Sequence, residues 1–365
     1  MTNVERETSY SFLAEWFDEQ ASLTRHLSLC YFVMDDTIEL YDLKNKRLFL
    51  KRCKYPQVVL EDLFIGALVT VYSRQLKIVD FGDPFTKRQL SLARSRTIAL
   101  LKPKQWSRLG VVVDALYKNN FVISRLRSVQ MTPAQAQEYF GDAGPTMRSQ
   151  RLCQGPVIAM EIVGVGAEQL LLDLIGEEEE KNMETNFSNR THDMEADYLF
   201  SNPDMLSSAR MSQDCTVCVI RPHILVGGAA GEVVDRIQQA GLSVSAAQLF
   251  SLDRQAAAEF CDVYKGIVPQ INAMIDELCT GACLVLELNG DGVLPALREL
   301  CGPPDPEIAR HLRPESLRAQ YGMTKVKNAV HCTDLPDDGP LESSFFFEEI
   351  NQSEIRKKSG KGQFV

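Results

Sequence analysis

Residues 97–103, TIALLKP, return near residue 215 as CTVCVIRP, and a 365-residue chain that repeats itself must build one supersecondary unit twice. In both copies an apolar, strand-like run meets one basic residue and a proline, Lys102-Pro103 and Arg221-Pro222. A helix-like segment follows, VVVDALYKNNF at 111–121 and EVVDRIQQAGL at 232–242, and then a second strand-like stretch. Thr132-Pro133 and Asp253-Arg254 supply N-cap chemistry for a further helix. A third match pairs QGPVIAMEI (154–162) with TGACLVLEL (280–288). Lys102 and Arg221 stand 119 residues apart, Gly155 and Gly281 126 apart, which delimits two homologous α+β domains at 94–210 and 211–350. Their lengths suit a four-stranded sheet with helices on one face, among other α+β arrangements.

Residues 1–93 follow a different pattern. Short runs rich in Leu, Val, Tyr and Phe are separated by turn residues at Asp35-Asp36, Asn45, Gly66 and Gly82-Asp83, which predicts a small β-rich barrel or sandwich. A basic cluster, Lys44, Lys46, Arg47, Lys51, Arg52 and Lys54, is either a docking surface for an acidic partner or the solvated face of a hairpin. Residues 351–365 carry Arg356, Lys357, Lys358 and Lys361 among Gly and Ser, the composition of a flexible tail that orders only against a partner. The whole chain has a formal charge of −10, which disfavours generic binding to nucleic acid or to a membrane surface. Ten cysteines in a chain too large for a disulfide-stapled domain, a polar N-terminus and the lack of a ~20-residue apolar run predict a reduced, cytosolic or cytoskeletal protein.

The chemistry gathers near the C-terminus. His331 lies in NAVHCTD (328–334), with Asn328 three residues before it, Arg318 ten before Asn328, and Arg298 twenty before Arg318. Glu342 follows His331 by eleven. A neutral imidazole is a usable nucleophile near pH 7, two arginines clamp phosphoryl oxygens, and a carboxylate on the second ring nitrogen sets the attacking tautomer. Such a set predicts phosphohistidine chemistry. The five histidines are dispersed, so no metal site is predicted, and no Gly-rich phosphate loop is present.

These residues resemble the active site of the nucleoside diphosphate kinases, Arg…Asn-x-x-His-x-Ser/Thr-Asp. The resemblance implies that His331 is phosphorylated in a ping-pong cycle, with Thr333 beside it and Glu342 orienting it. It implies phosphate binding by Arg298 and Arg318, sugar contact by Asn328, and Arg221 standing in for a strand lysine. It further implies a ferredoxin-like βαββαβ core in each copy and Mg²⁺ that arrives with a bound nucleotide, ATP or GDP. CGPPDPEIARHLRP (301–314) and NAVHCTDLP (328–336) are similar to one branch of the family, the axonemal seventh type. FLKR and EDLFIGALVTVYSRQLKIVDFGD resemble the DM-ten domain, which implies a pleckstrin-homology-like N-terminal module of ciliary and flagellar proteins.

The sequence also departs from the family. Pro304 falls where a phosphate-loop threonine is expected, Val268 where a base-stacking phenylalanine is expected, and Phe260 in place of a tyrosine. In the first copy Lys102 is intact, but Leu172 stands where the first arginine belongs and Glu177 to Glu180 would repel a polyphosphate. An Asn189-x-x-His192 remnant leaves Lys102 and His192 as the residue of a degenerate first site. Two functions follow as expectations. One is a structural protein lining the doublet microtubules of the ciliary or flagellar axoneme, partnered by α/β-tubulin and neighbouring axonemal proteins, and resident in cytoplasm, cytoskeleton and cilium. The other is an active kinase passing the γ-phosphate of ATP to other diphosphates through His331, in the C-terminal copy only. Two fused copies are expected to pair within the chain, so that gel filtration gives the mass of one chain.

Overall fold

The computed structural model describes residues 8–351 apart from 19–20, 22, 73, 92–94, 143, 165–182, 186–191 and 203–204. Leu172, the run Glu177–Glu180, Asn189 and the basic tail lie outside the described residues. The chain divides into two compact units, the first made of residues up to 94 with 279–281, the second of the remainder.

In the first unit six antiparallel strands, β1 (Ser9–Asp18), β2 (Leu23–Phe32), β3 (Thr37–Asp42), β4 (Arg47–Lys54), β5 (Leu68–Val71) and β6 (Arg74–Phe81), form a sheet ordered β4-β3-β2-β1-β6-β5. Alternate residues point inward: Phe12 and Ala14 on β1, Leu27, Leu29 and Tyr31 on β2, Ile38 and Leu40 on β3. Helix α1 (Pro84–Ser91) closes the unit, with Phe85 stacked on Tyr10. All six residues of the basic cluster are exposed on edge strand β4 and the turn before it.

The second unit holds both copies. The first contributes β7 (Ser95–Leu101), α2 (Leu109–Lys118), β8 (Val122–Gln130), α3 (Pro133–Phe140), α4 (Met147–Leu152), β9 (Val157–Gly164), β10 (Met183–Thr185) and α5 (His192–Phe200). A two-residue strand, β11 (Leu206–Ser207), leads on. The second contributes β12 (Cys215–Ile220), α6 (Pro222–Val226), α7 (Ala230–Gln239), β13 (Ser243–Phe250), α8 (Arg254–Phe260), α9 (Ile271–Leu278) and β14 (Cys283–Asn289). It ends with α10 (Val293–Cys301), α11 (Pro306–Leu312), α12 (Leu317–Tyr321), β15 (Val330–Cys332) and α13 (Asp338–Ser344). The expected caps are in place, Thr132 accepting from the Gln135 amide and Asp253 from the Ala256 amide.

The two ferredoxin-like halves join edge to edge. Their sheets run on as β10-β7-β9-β8-β13-β14-β12-β15, with Arg127 of β8 opposite Gln248 of β13. Each half carries the same β-bulge, at Ser124 and at Ser245, and each serine hydroxyl donates at 2.6 Å to a buried glutamate, Glu161 or Glu287. Helices cover both faces of the first copy's sheet, not one. Ala99 and Leu101 of β7 pack toward α2 and α7, while Ile98 and Leu100 pack toward α3, α4 and α5. That is why all of β9 is buried. Cys215 and Cys218 carry C-x-x-C spacing, but an odd offset along β12 sends their side chains to opposite faces, and both are free.

Glycines set the spacing of the seam. A Cβ on Gly110 of α2 would overlap the backbone of Asp235 in α7, and one on Gly231 of α7 would overlap the backbone of Asp114 in α2. The amide of Gly110 donates to Gln238 Oε1 (3.0 Å), whose Nε2 donates to the Trp106 carbonyl (2.6 Å).

Candidate active site

His331 occupies the middle of β15, opposite Val219 of β12, so its position follows from strand register rather than from a loop. Its Nε2 lies 3.0 Å from Glu342 Oε1, presented by α13. The other carboxylate oxygen accepts from the Thr333 hydroxyl at 2.7 Å, and Thr333 Oγ1 in turn accepts from the Val217 amide at 2.9 Å. Glu342 is therefore fixed at both oxygens, and the imidazole donates Nε2–H to it, which leaves the lone pair on Nδ1. Phe260 meets the ring edge-on at 5.0 Å, and Tyr264 lies 6.3 Å away. Burial pulls the His331 pKa down, but the charge of Glu342 and its hydrogen bond outweigh that and raise it above 6.5.

The direction of that shift sets two pH dependences. The pair stabilises the fold fully below the unfolded value of 6.5, and that contribution is lost as pH rises through the folded value. Nucleophilicity behaves oppositely, because only the neutral ring attacks. The acid limb of any phosphorylation rate is expected above pH 6.5, and in Glu342→Gln, where burial is the largest remaining influence and the Arg221 charge acts in the same direction, below it. A pH–rate profile of label uptake checks this, and an unmoved limb in the variant would remove Glu342 as the cause.

The arginines bracket the histidine. Arg298 of α10 donates to the carbonyls of Thr333 and Asp334 (3.2 Å each) and to Asp334 Oδ1 (2.6 Å), and it is half exposed. Asp334 also accepts from Tyr264 Oη at 2.7 Å. Arg318 of α12 is buried and turned inward, to the carbonyls of Val330 (3.1 Å) and Gly302 (2.7 Å) and to Cys332 Sγ (3.6 Å). As placed, it braces the histidine strand against the 302 turn. Arg221 lies 3% exposed with its guanidinium on Glu277 Oε2 and the Val326 carbonyl (3.1 Å each). Its charge is thus met by a buried carboxylate, unlike that of a lysine free to reach phosphate. Asn328 donates to the Pro304 carbonyl at 3.1 Å, and its buried Oδ1 has no hydrogen-bond partner among the described residues.

In the first copy strand register and sequence spacing select different residues. TIALL and TVCVI align, so Leu100 of β7 takes the place of Val219, and the residue paired with Leu100 is Glu184. Glu184, not His192, takes the strand position that His331 takes in the second copy. His192 instead opens α5, with Nε2 3.4 Å from Glu161 Oε1, in a cluster with Arg96 and Arg125. Glu195 follows Glu184 by eleven residues, as Glu342 follows His331, and accepts a hydrogen bond from Tyr139. An orienting carboxylate survives without a histidine to orient. Lys102 precedes the turn at 103–108 and does not restore a nucleophile to this copy.

Comparison with known proteins fits this geometry. A family model described as the nucleoside diphosphate kinase 7 N-terminal PH domain matches residues 4–92, and one described as nucleoside diphosphate kinase matches 214–352. "Nucleoside diphosphate kinase homolog 7" of Mus musculus is 39% identical over 94% of this chain and 93% of its own length. The chain belongs to the nucleoside diphosphate kinase family, in its homolog 7 branch. The Rattus norvegicus protein of the same name is also 39% identical over 94% of the chain. The nucleoside diphosphate kinase of Aquifex aeolicus is 32% identical over 140 residues, 98% of its own length but 38% of this chain. Its length is close to that of a single family domain, whereas this chain carries the PH-like module and a second, altered copy as well. Kinases of the family usually use Mg²⁺ with nucleotide. Among the described residues no group of three His, Cys, Asp or Glu could hold a metal.

Proposed function

We propose that the C-terminal copy is a phosphotransferase site in which His331 carries the γ-phosphate between nucleotides. The observation that supports it most is the chain Thr333–Glu342–His331, which leaves Nδ1 as the free lone pair. In the forward step an Nδ1–P bond forms as the bond from γ-phosphorus to the β,γ-bridging oxygen breaks, and the electron pair leaves with the diphosphate. A second diphosphate reverses the step. Arg298 reaches the transferring group by exchanging Asp334 for phosphoryl oxygens, and the unpartnered Oδ1 of Asn328 suits a sugar hydroxyl. Phe260, Tyr264 and half-buried Val268 offer a base less aromatic surface than the family pattern, which points to weak nucleotide binding. The test is incubation with γ-labelled ATP and Mg²⁺ followed by a GDP chase. Acid-labile label that moves to GTP is expected; no label at high protein concentration would refute the proposal.

A second reading concerns the PH-like unit and its basic edge strand. In it the chain is a structural protein of the axonemal doublet microtubule that docks on acidic tubulin surfaces among neighbouring axonemal proteins, in the cytoskeleton of a cilium or flagellum. Six exposed cations along one sheet edge, beside exposed Tyr41, Leu43 and Leu48, favour it. So does a first copy that has kept its core and lost its nucleophile. Lys44→Glu, Lys46→Glu and Lys51→Glu together should weaken co-sedimentation with microtubules about tenfold or more, and increasingly so at low salt. Unchanged co-sedimentation would remove this surface from the reading. The two readings are compatible, since they use different units.

A further inference from the structure

Ala329 lies between Asn328 and the first residue of β15, fully buried, with φ at +72°. A residue with a Cβ resists that left-handed conformation unless its surroundings hold it there. Within the turn the Val330 amide donates to the Asn328 carbonyl at 3.0 Å, and two hydrogen bonds from outside it hold Ala329 in place. The Ala329 amide donates to His223 Nε2 at 3.3 Å, and its carbonyl accepts from the Arg221 amide at 3.0 Å. Because Nε2 accepts, the ring proton sits on Nδ1, which donates to Glu277 Oε1 at 2.7 Å. Glu277 Oε2 takes the Arg221 guanidinium at 3.1 Å. The side chains of His223, Arg221 and Glu277 are 6%, 3% and 3% exposed, so solvent does not compete for these bonds.

We infer that His223 and Glu277 are positioning residues for the His331 site. Glu277 fixes the tautomer of His223, and His223 holds the strained turn that aims Asn328 on one side and His331 on the other. The first copy supplies an internal contrast. Lys104 and exposed Arg151 stand where the second copy has His223 and Glu277, and Glu184 stands where it has His331. Relay and nucleophile are absent together. The inference rests on the phosphotransfer reading only for its rate readout; the strained turn and its partners stand without it.

Three variants of the full chain test it. His223→Leu removes the acceptor, His223→Gln keeps a side-chain acceptor, and Ala329→Gly relieves the strain at the turn. Label uptake on His331 is expected to slow about tenfold in His223→Leu, equivalent to about 1.4 kcal/mol, and to return to within about twofold in His223→Gln. Adding Ala329→Gly to His223→Leu should recover at least half of the lost rate. His223→Leu labelling at the native rate, or no recovery on adding Ala329→Gly, overturns the inference. NMR titration of the His331 ring tests the same point without turnover: its midpoint should fall in His223→Leu and recover in His223→Gln and in the chain that carries both His223→Leu and Ala329→Gly. If the native chain takes no label, the phosphotransfer reading fails and the titration alone decides this one.

Discussion

A chain with His331 replaced by alanine is expected to take up no acid-labile phosphate from γ-labelled ATP, a loss of about 10⁴-fold or more in rate. The size follows from covalent catalysis, in which removing the nucleophile removes the intermediate itself and not one contact to it. The geometry also makes the result specific. Of the remaining histidines, His26 and His311 are exposed, His223 has both ring nitrogens engaged, and His192 faces a glutamate among arginines. None shares the arrangement of a ring nitrogen on a carboxylate that is itself fixed by a threonine. Persistent label in the alanine variant would place the reaction elsewhere and end the case for His331.

Gly231→Leu should strongly destabilise the second unit. A side chain at 231 meets the backbone of Asp114, which cannot move aside without separating α2 from α7. The core shared by the two copies runs directly beneath, through Val113, Leu116, Val233 and Ile237. Overpacking of this kind is expected to cost about 3 kcal/mol, a fall in the thermal midpoint of roughly 6 to 10 °C for a unit of this size. Gly144→Ala, where a Cβ meets nothing within 4 Å, is the control and should stay within about 0.5 kcal/mol. Circular dichroism melts of the two variants decide it. Equal midpoints would mean that the helix crossing is not held at its glycines.

Much of this was legible in the residues. The two copies were readable because a repeat must conserve its apolar runs to keep its core, and the caps at Thr132 and Asp253 fall where their chemistry places them. The His331, Thr333 and Glu342 group was readable from spacing, because strand β15 and helix α13 follow one another closely enough to keep the geometry local in sequence. Arg318 and Arg221 were legible as cations near a phosphate site, but not as side chains committed to backbone carbonyls and to Glu277. Those partners lie 12 to 105 residues away, and spacing carries no signal of them. The same holds for His223 and Glu277. In the first copy, counting Asn-x-x-His along the chain selects His192, whereas the pairing of β10 with β7 selects Glu184. A signal did exist there, since Glu195 repeats the spacing of eleven from Glu184.

What the sequence determined by itself was therefore everything periodic or local: the α+β class, the duplicated unit, the helix caps and the grouping of His331 with Thr333 and Glu342. Tertiary structure alone decided how the two copies share a sheet across Arg127 and Gln248, which faces the helices cover, and which cations remain available to a ligand. The reason is physical. Periodicity and short spacing are imposed by backbone geometry within one element, but a buried charge takes whichever partner the folded chain brings to it.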